Sequence, residues 1–445
     1  MANDPMDGQH AFGERPSRSD GSVMGQDSEY TGRYVVLFDP GGQESGIEAL
    51  RSSAGIASVE RVHGTGTGNV AELLERPDVS VLFEDLGAAV VEVRPEQRHA
   101  LVTTAEAEPS IIAAEPERMV HALPITVSQQ APTAFFPAFR SDEDVVTRHT
   151  RAEIAAGQGP YWSEDKWTWG LQAIRAHLSH LTGRGVRISV LDTGVDTDHP
   201  DFAGRIEATE SFVPGESVED GNGHGTHCIG TAAGPAGPRQ GPRYGVAPEA
   251  RILAAKVLGN AGSGTDGQIL AGMAWAVSHG ARVISMSLGA SVRPGDLFPQ
   301  TYEILARRAL ERGTVIVAAA GNESRRPQDI RPVGRPANCP SILAVAALDR
   351  AIAPTFFSNR AINGQGGEIN IAAPGWQVRS AAPGGGYQPL NGTSMATPHV
   401  AGVVALLAQA HPGASAAELV AALKSGAFPL QQPAVDVGAG LLQAP

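Results

Sequence analysis

Six short apolar runs, at residues 186–191, 252–257, 283–288, 315–319, 342–347 and 369–372, punctuate the C-terminal part of this chain. Several are apolar almost throughout, as in Val315-Ile316-Val317-Ala318-Ala319. A strand with one wet face would alternate instead. Helical patterns fall between several of the runs, for example at 267–277 and 302–312. Continuous apolar strands alternating with helices predict an α/β domain, a parallel sheet with helices on both faces. In such sheets ligands bind beyond the C-terminal ends of the strands. The residues that directly follow each run are therefore the first candidates for chemistry.

At 445 residues the chain suggests two domains. A hydrophobic share of 42% against 18% charged residues is enough for a sizeable core. The net charge of −13 argues against a nucleic-acid partner, which would need a basic face. No uninterrupted apolar run approaches the roughly 18 residues of a membrane helix, so no membrane partner is expected. Residues 1–30 are polar and lack the apolar middle of a secretory signal, which predicts a cytoplasmic protein, although an unconventional export route would look the same. Two cysteines, Cys228 and Cys339, exclude a disulfide scaffold.

The patterning divides the chain into four segments. Residues 1–30 read as a disordered tail and 124–165 as a polar linker with scattered aromatics. Residues 31–123 read as a small α+β unit: a strand at 33–38, a helix at 45–53, strands or a hairpin at 58–63 and 79–93, a helix at 95–106 and a last strand at 110–114. That β-α-β-β-α-β order is ferredoxin-like. Residues 166–445 form the larger domain.

Three segments of that domain carry chemistry. Asp192 ends the first apolar run, in Leu191-Asp192-Thr193-Gly194. His224 stands between glycines in Gly223-His224-Gly225-Thr226-His227. Ser394 lies in Asn391-Gly392-Thr393-Ser394-Met395, directly before a long apolar helical run. Taken singly, an Asp after a strand is usually a turn former. Together they supply what a serine nucleophile needs: a histidine to take its proton and a carboxylate to orient that histidine. His227, one helical turn beyond His224, reads as structural, since no further ligand set with zinc spacing joins it. Cys228 reads as a small buried side chain close to the base.

The three segments, in the order Asp, His, Ser, resemble the subtilisin-like serine proteases from about residue 167 to about 440. The resemblance implies a subtilisin-like fold, serine endopeptidase activity, and Asp192, His224 and Ser394 as orienting carboxylate, general base and nucleophile. It makes Asn322, in Ala320-Gly321-Asn322, the oxyanion donor alongside the Ser394 N–H. Gly262-Ser263-Gly264 and Ser287-Leu288-Gly289 become the two edges that clamp an extended peptide. Gly321 and Gly334 complete the specificity pocket, which a glycine at 334 would deepen for large apolar P1 residues, with Glu323 at its rim. The start and end of residues 31–123 resemble an inhibitory propeptide, so the chain's own N-terminal prodomain is an expected partner, with Val120-His121-Ala122-Leu123 as the tail in the active site. Protein or peptide substrates are the other partners. No cofactor is required for the chemistry. Asp201 matches a calcium-ligand position of the family, but Gly234-Pro235-Ala236-Gly237 lacks the expected carbonamide ligand, which leaves a structural calcium an open alternative. A dedicated maturation protease for one peptide precursor is the alternative role, and a pseudoprotease binding module is disfavoured by the intact triad. An α/β-hydrolase esterase is excluded by the missing Gly-x-Ser-x-Gly.

Overall fold

The computed structural model describes residues 29–56, 58–63, 70–123 and 161–445. The tail at 1–28 and the linker at 124–160, with its aromatic stretch, lie outside the described residues.

The N-terminal unit runs β1 (Tyr30–Phe38), α1 (Gln43–Ala54), β2 (Ser58–Val62), α2 (Val70–Glu75), β3 (Val79–Phe83), β4 (Ala88–Val91), α3 (Arg98–Ala107) and β5 (Ile111–Ala122). Its sheet order is β5-β1-β4-β3-β2. The first four of these strands reproduce the ferredoxin-like arrangement. β2 adds an edge strand, parallel to β3, and α2 is an extra short helix. The single run at 79–93 divides into β3 and β4 at Glu84–Gly87, where Gly87 N–H donates to the Glu84 carbonyl.

The larger domain is built on a sheet whose seven strands pair in parallel: β6 (Arg187–Asp192), β7 (Ile206–Ser211), β8 (Arg251–Lys256), β10 (Val283–Met286), β12 (Val315–Ala319), β13 (Leu343–Leu348) and β14 (Ile371–Pro374). They lie in the order β14-β13-β12-β10-β6-β8-β7. Two short strands, β9 (Ser263–Thr265) and β11 (Leu288–Gly289), stand outside this sheet. Among the helices that frame the C-terminal ends of the strands or cover the sheet are α4 (His224–Ala233), α5 (Asp266–Ser278), α6 (Gln300–Glu311) and α7 (Thr393–Ala410). α7 packs on α4 and across β10, β12, β13 and β14, while α5 and α6 pack against β6, β8 and β12. Every residue of β12 and β13 is buried, which is why their sequences carry no polar alternation.

β5 joins the two units. Its N-terminal half pairs with β1, and its C-terminal end passes between β9 and β11. The first strand of the chain and the edges of the larger domain thus belong to one continuous ladder.

Candidate active site

Asp192 is the last residue of β6, and His224 is the first of α4. A contact between two glycines brings them together. A Cβ on Gly225 would stand 2.2 Å from the Gly194 carbonyl oxygen, a distance that only glycine permits. His224 Nδ1 then lies 2.7 Å from Asp192 Oδ1, with both side chains 1% exposed. The carboxylate fixes the proton on Nδ1 and leaves Nε2 as the basic nitrogen. Nε2 is buried and has no hydrogen-bond partner among the described residues. Burial is the largest single influence and opposes the charged imidazolium, but the charge and hydrogen bond of Asp192, together with Cys228 beside them, hold His224 well above the ordinary histidine value.

Asp220 completes this half of the site and carries little signal in the sequence. Its Oδ1 accepts from Thr193 Oγ1 at 2.8 Å and Gly223 N–H at 2.8 Å. Its Oδ2 accepts from Thr226 N–H at 2.8 Å and Thr226 Oγ1 at 2.7 Å. One carboxylate therefore ties the turn after Asp192 to the first turn of α4, at its positive dipole end. Burial raises its pKa, but the bonds from Thr226 and Gly223 prevail and hold it below the usual range. The only sequence hint is an Asp four residues ahead of His224.

Ser394 is the second residue of α7. Four residues on stands Pro398, which has no N–H to give the Ser394 carbonyl. Ser287 Oγ donates to that carbonyl instead, at 2.8 Å, and the Cys228 thiol donates at 3.7 Å. Ser394 Oγ donates to the Ser287 carbonyl at 3.2 Å. The structure thus joins Asp192 to His224 and Ser394 to Ser287, but it does not hydrogen-bond Ser394 Oγ to His224.

Asn322 follows β12. Its Oδ1 accepts from Thr393 N–H and Thr393 Oγ1, both at 2.9 Å. Because the backbone N–H can only donate, the amide orientation is determined, and Nδ2 points elsewhere. That Nδ2 is buried without a partner among the described residues. A Cβ on Gly392, whose φ is +152°, would lie 3.2 Å from Asn322 Nδ2 and 3.5 Å from Ser394 N. Two donors therefore converge on a space kept open by the absence of a side chain.

The two edges expected to clamp a peptide are paired with the chain's own β5. His121 pairs with Ser263 on one side and Gly289 on the other; Val120 pairs with Gly264, and Ala122 with Leu288. Ala122 N–H donates to the Gly262 carbonyl at 2.8 Å. Val120 is fully buried and Leu123 is 4% exposed. Leu123 Cδ2 lies 3.8 Å from where a Gly289 Cβ would be. Gly321 donates its N–H to Thr393 Oγ1 at 3.2 Å. Gly334 also meets a packing demand. A Cβ there would meet the Ala290 carbonyl at 2.8 Å, so glycine permits the close Ala290–Arg335 bridge. Glu323 lines the groove and accepts from Asn359 Nδ2 at 2.6 Å.

Two neighbours of the site are structural. His227 is buried, its Nε2–H shared between the carbonyls of Val378 at 2.9 Å and Gln388 at 3.2 Å. Burial pulls its pKa down to about 3, so it is neutral. Burial pushes the Cys228 thiol up, so it is protonated at neutral pH.

Asp201 does not fit a cation. Its Oδ2 accepts from Tyr244 Oη at 2.7 Å and Tyr387 Oη at 2.9 Å, and Oδ1 accepts from Arg239 N–H at 3.0 Å. A calcium ligand needs its oxygens facing other oxygens across an ion. Here the donors occupy those directions. Asp201, the open candidate for a calcium ligand, is instead a hub joining three chain segments.

Residues 183–441 match the family model described as the subtilase family. The chain is 42% identical over 281 residues to subtilisin Savinase of Lederbergia lenta, covering 62% of this chain and 96% of that one. It is equally identical over 281 residues to M-protease of Shouchella clausii, covering 68% of that protein. In three dimensions it matches fervidolysin of Fervidobacterium pennivorans, described as a keratinolytic enzyme related to subtilisin. The TM-score is 0.68 at 24% identity, over 94% of this chain and 61% of that one. That likeness concerns the fold. The cytoplasmic location expected from residues 1–30 is overturned by the same comparisons, because the homologues are secreted extracellular subtilisins. The polar N-terminal stretch says nothing about compartment.

Proposed function

The chain belongs to the subtilase family and is a subtilisin-like serine endopeptidase, and from that premise we propose that Asp192, His224 and Ser394 are its triad and that residues 31–123 are an inhibitory prodomain. Ser394 Oγ rotates from the Ser287 carbonyl toward His224 Nε2 and attacks the scissile carbonyl carbon. Its proton passes to Nε2, and Asp192 stabilises the resulting imidazolium. The oxyanion accepts from Asn322 Nδ2 and Ser394 N–H. Such a side-chain donor is worth about 3 kcal/mol, a magnitude taken from subtilisin itself. Collapse expels the amine, which leaves with the proton from His224, and water repeats the cycle on the acyl-enzyme. No cofactor takes part.

The observation that carries the zymogen reading is β5 lying between β9 and β11 with Leu123 buried beside Gly289. Main-chain pairing is blind to side chains, which favours broad specificity over a single dedicated precursor. Buried Val120 and Leu123 support a preference for apolar residues at P4 and large apolar residues at P1, each such burial being worth about 1.5–3 kcal/mol. The test compares intact mass and N-terminal sequence of the wild type with Ser394→Ala. The wild type is expected to be cut between Leu123 and Trp167, and the variant to stay full length. Equal cutting of both would remove self-processing by Ser394.

A further inference from the structure

Beyond the clamp, β5 meets a buried ion pair. Arg335 Nη1 lies 3.3 Å from Asp266 Oδ1 and 3.2 Å from Oδ2, and the two side chains are 4% and 5% exposed. Both also touch the main chain of β5. Asp266 Oδ2 accepts from Arg118 N–H at 2.8 Å, and Arg335 Nη2 donates to the Met119 carbonyl at 3.2 Å. With Leu123 at P1, these are the P6 N–H and the P5 carbonyl. Val120, at P4, is the last of these residues whose side chain is fully buried.

We propose that Asp266 and Arg335 are substrate-positioning residues that extend main-chain recognition to P5 and P6. This rests on the proposed reading of β5 as an occupant of the substrate cleft. The pair is built to be rigid. Tyr302 Oη, from α6, donates to Asp266 Oδ1 at 2.9 Å. Asp266 is the first residue of α5, capped by Thr265 in a box with Gln268. Arg335 is tied by its own backbone to Ala290 through two 3.0 Å bonds. A peptide in the cleft would meet a fixed acceptor and a fixed donor, with no side chain to be ordered first. Because the groups read are peptide N–H and C=O, length is selected and sequence is not. Hydrogen bonds to charged groups are the stronger kind, so the P6 bond is worth roughly tenfold in kcat/KM.

The test uses the self-processed enzyme and three anilides ending in Val-His-Ala-Leu: acetyl-Met-Val-His-Ala-Leu, the same peptide extended by Ala at P6, and that hexapeptide with N-methylalanine at P6. The pentapeptide lacks the P6 N–H together with the alanine methyl and the acyl group beyond it, and the N-methyl peptide isolates the N–H. The hexapeptide is expected to be hydrolysed about tenfold faster in kcat/KM, the N-methyl form to fall back to the pentapeptide value, and Asp266→Ala to bring the hexapeptide-to-pentapeptide ratio close to one. A ratio near one in the wild type, or a full gain retained by the N-methyl peptide, overturns the proposal. Failure to hydrolyse any of the three would instead strike at the reading of the cleft itself, so the two failures are distinguishable.

Discussion

At the scale of single residues, the charge balance around His224 sets a pH dependence. In the proposed role of general base, His224 works only when neutral. Asp192 holds its pKa well above the ordinary 6.5 despite complete burial. kcat/KM should therefore rise with pH through an apparent pKa above 6.5 and be lost below it. Asp192→Asn removes the charge and frees the wrong tautomer. Its acid limb should move to lower pH, while kcat falls about 10⁴-fold. A pH–rate profile of both proteins checks this, and an unmoved limb in the variant would detach His224 from Asp192. The placement of Asp192, His224 and Ser394 at the ends of elements was legible in the sequence, because each sits in a short motif beside an apolar or helical run. Asp220 and the Tyr244–Asp201–Tyr387 hub were not. The partner that ties Asp220 to the turn after Asp192 lies 27 residues away, and the two tyrosines on Asp201 lie 43 and 186 away, distances that no local pattern spans.

At the scale of elements, the helix that carries Ser394 is defined by what it lacks. Pro398 withdraws one rung from α7, and the orphaned carbonyl is that of Ser394 itself. Ser287 repairs the rung from β10's far end and, through its own carbonyl, holds Ser394 Oγ. Ser287→Ala removes one donor to a buried carbonyl and leaves only the weaker thiol of Cys228. The expected cost is about 1–3 kcal/mol of stability. Restoring the rung by Pro398→Ala should recover part of it in the double variant, since the helix regains its own N–H. Thermal unfolding of the four proteins of this cycle measures the coupling, and strict additivity would mean that Ser287 does not serve this carbonyl. The strands of the domain were readable because buried parallel strands are uniformly apolar. α2 was not, being six residues long with only Val70 and Leu74 buried. A helix that short has no period to display.

At the scale of the whole molecule, the two units are held by a carboxylate pattern on β5. Glu115 accepts from Gln300 N–H at 2.8 Å and Thr301 N–H at 3.2 Å, at the start of α6. Two residues on, Glu117 accepts from Gly267 N–H at 2.9 Å, at the start of α5, and from Arg33 Nε at 2.6 Å. Alternate residues of a strand share a face, so one edge of β5 caps two helices of the other unit at their positive ends. The two caps differ in weight. Glu115 is half-buried and its loss resembles the loss of an ordinary N-cap, about 0.5–2 kcal/mol. Glu117 is fully buried, and removing it strands Arg33, whose side chain is 14% exposed. Breaking a buried pair costs about 3–5 kcal/mol. In a Ser394→Ala background, where the chain is expected to stay intact, amide hydrogen exchange along β5 reads the opening of this interface. Glu117→Ala should lower protection there at least a hundredfold, about 3 kcal/mol on the usual scale, and Glu115→Ala by much less. The reverse order would mean that the helix ends, and not the buried Arg33–Glu117 pair, decide how firmly the N-terminal unit is held on the larger domain.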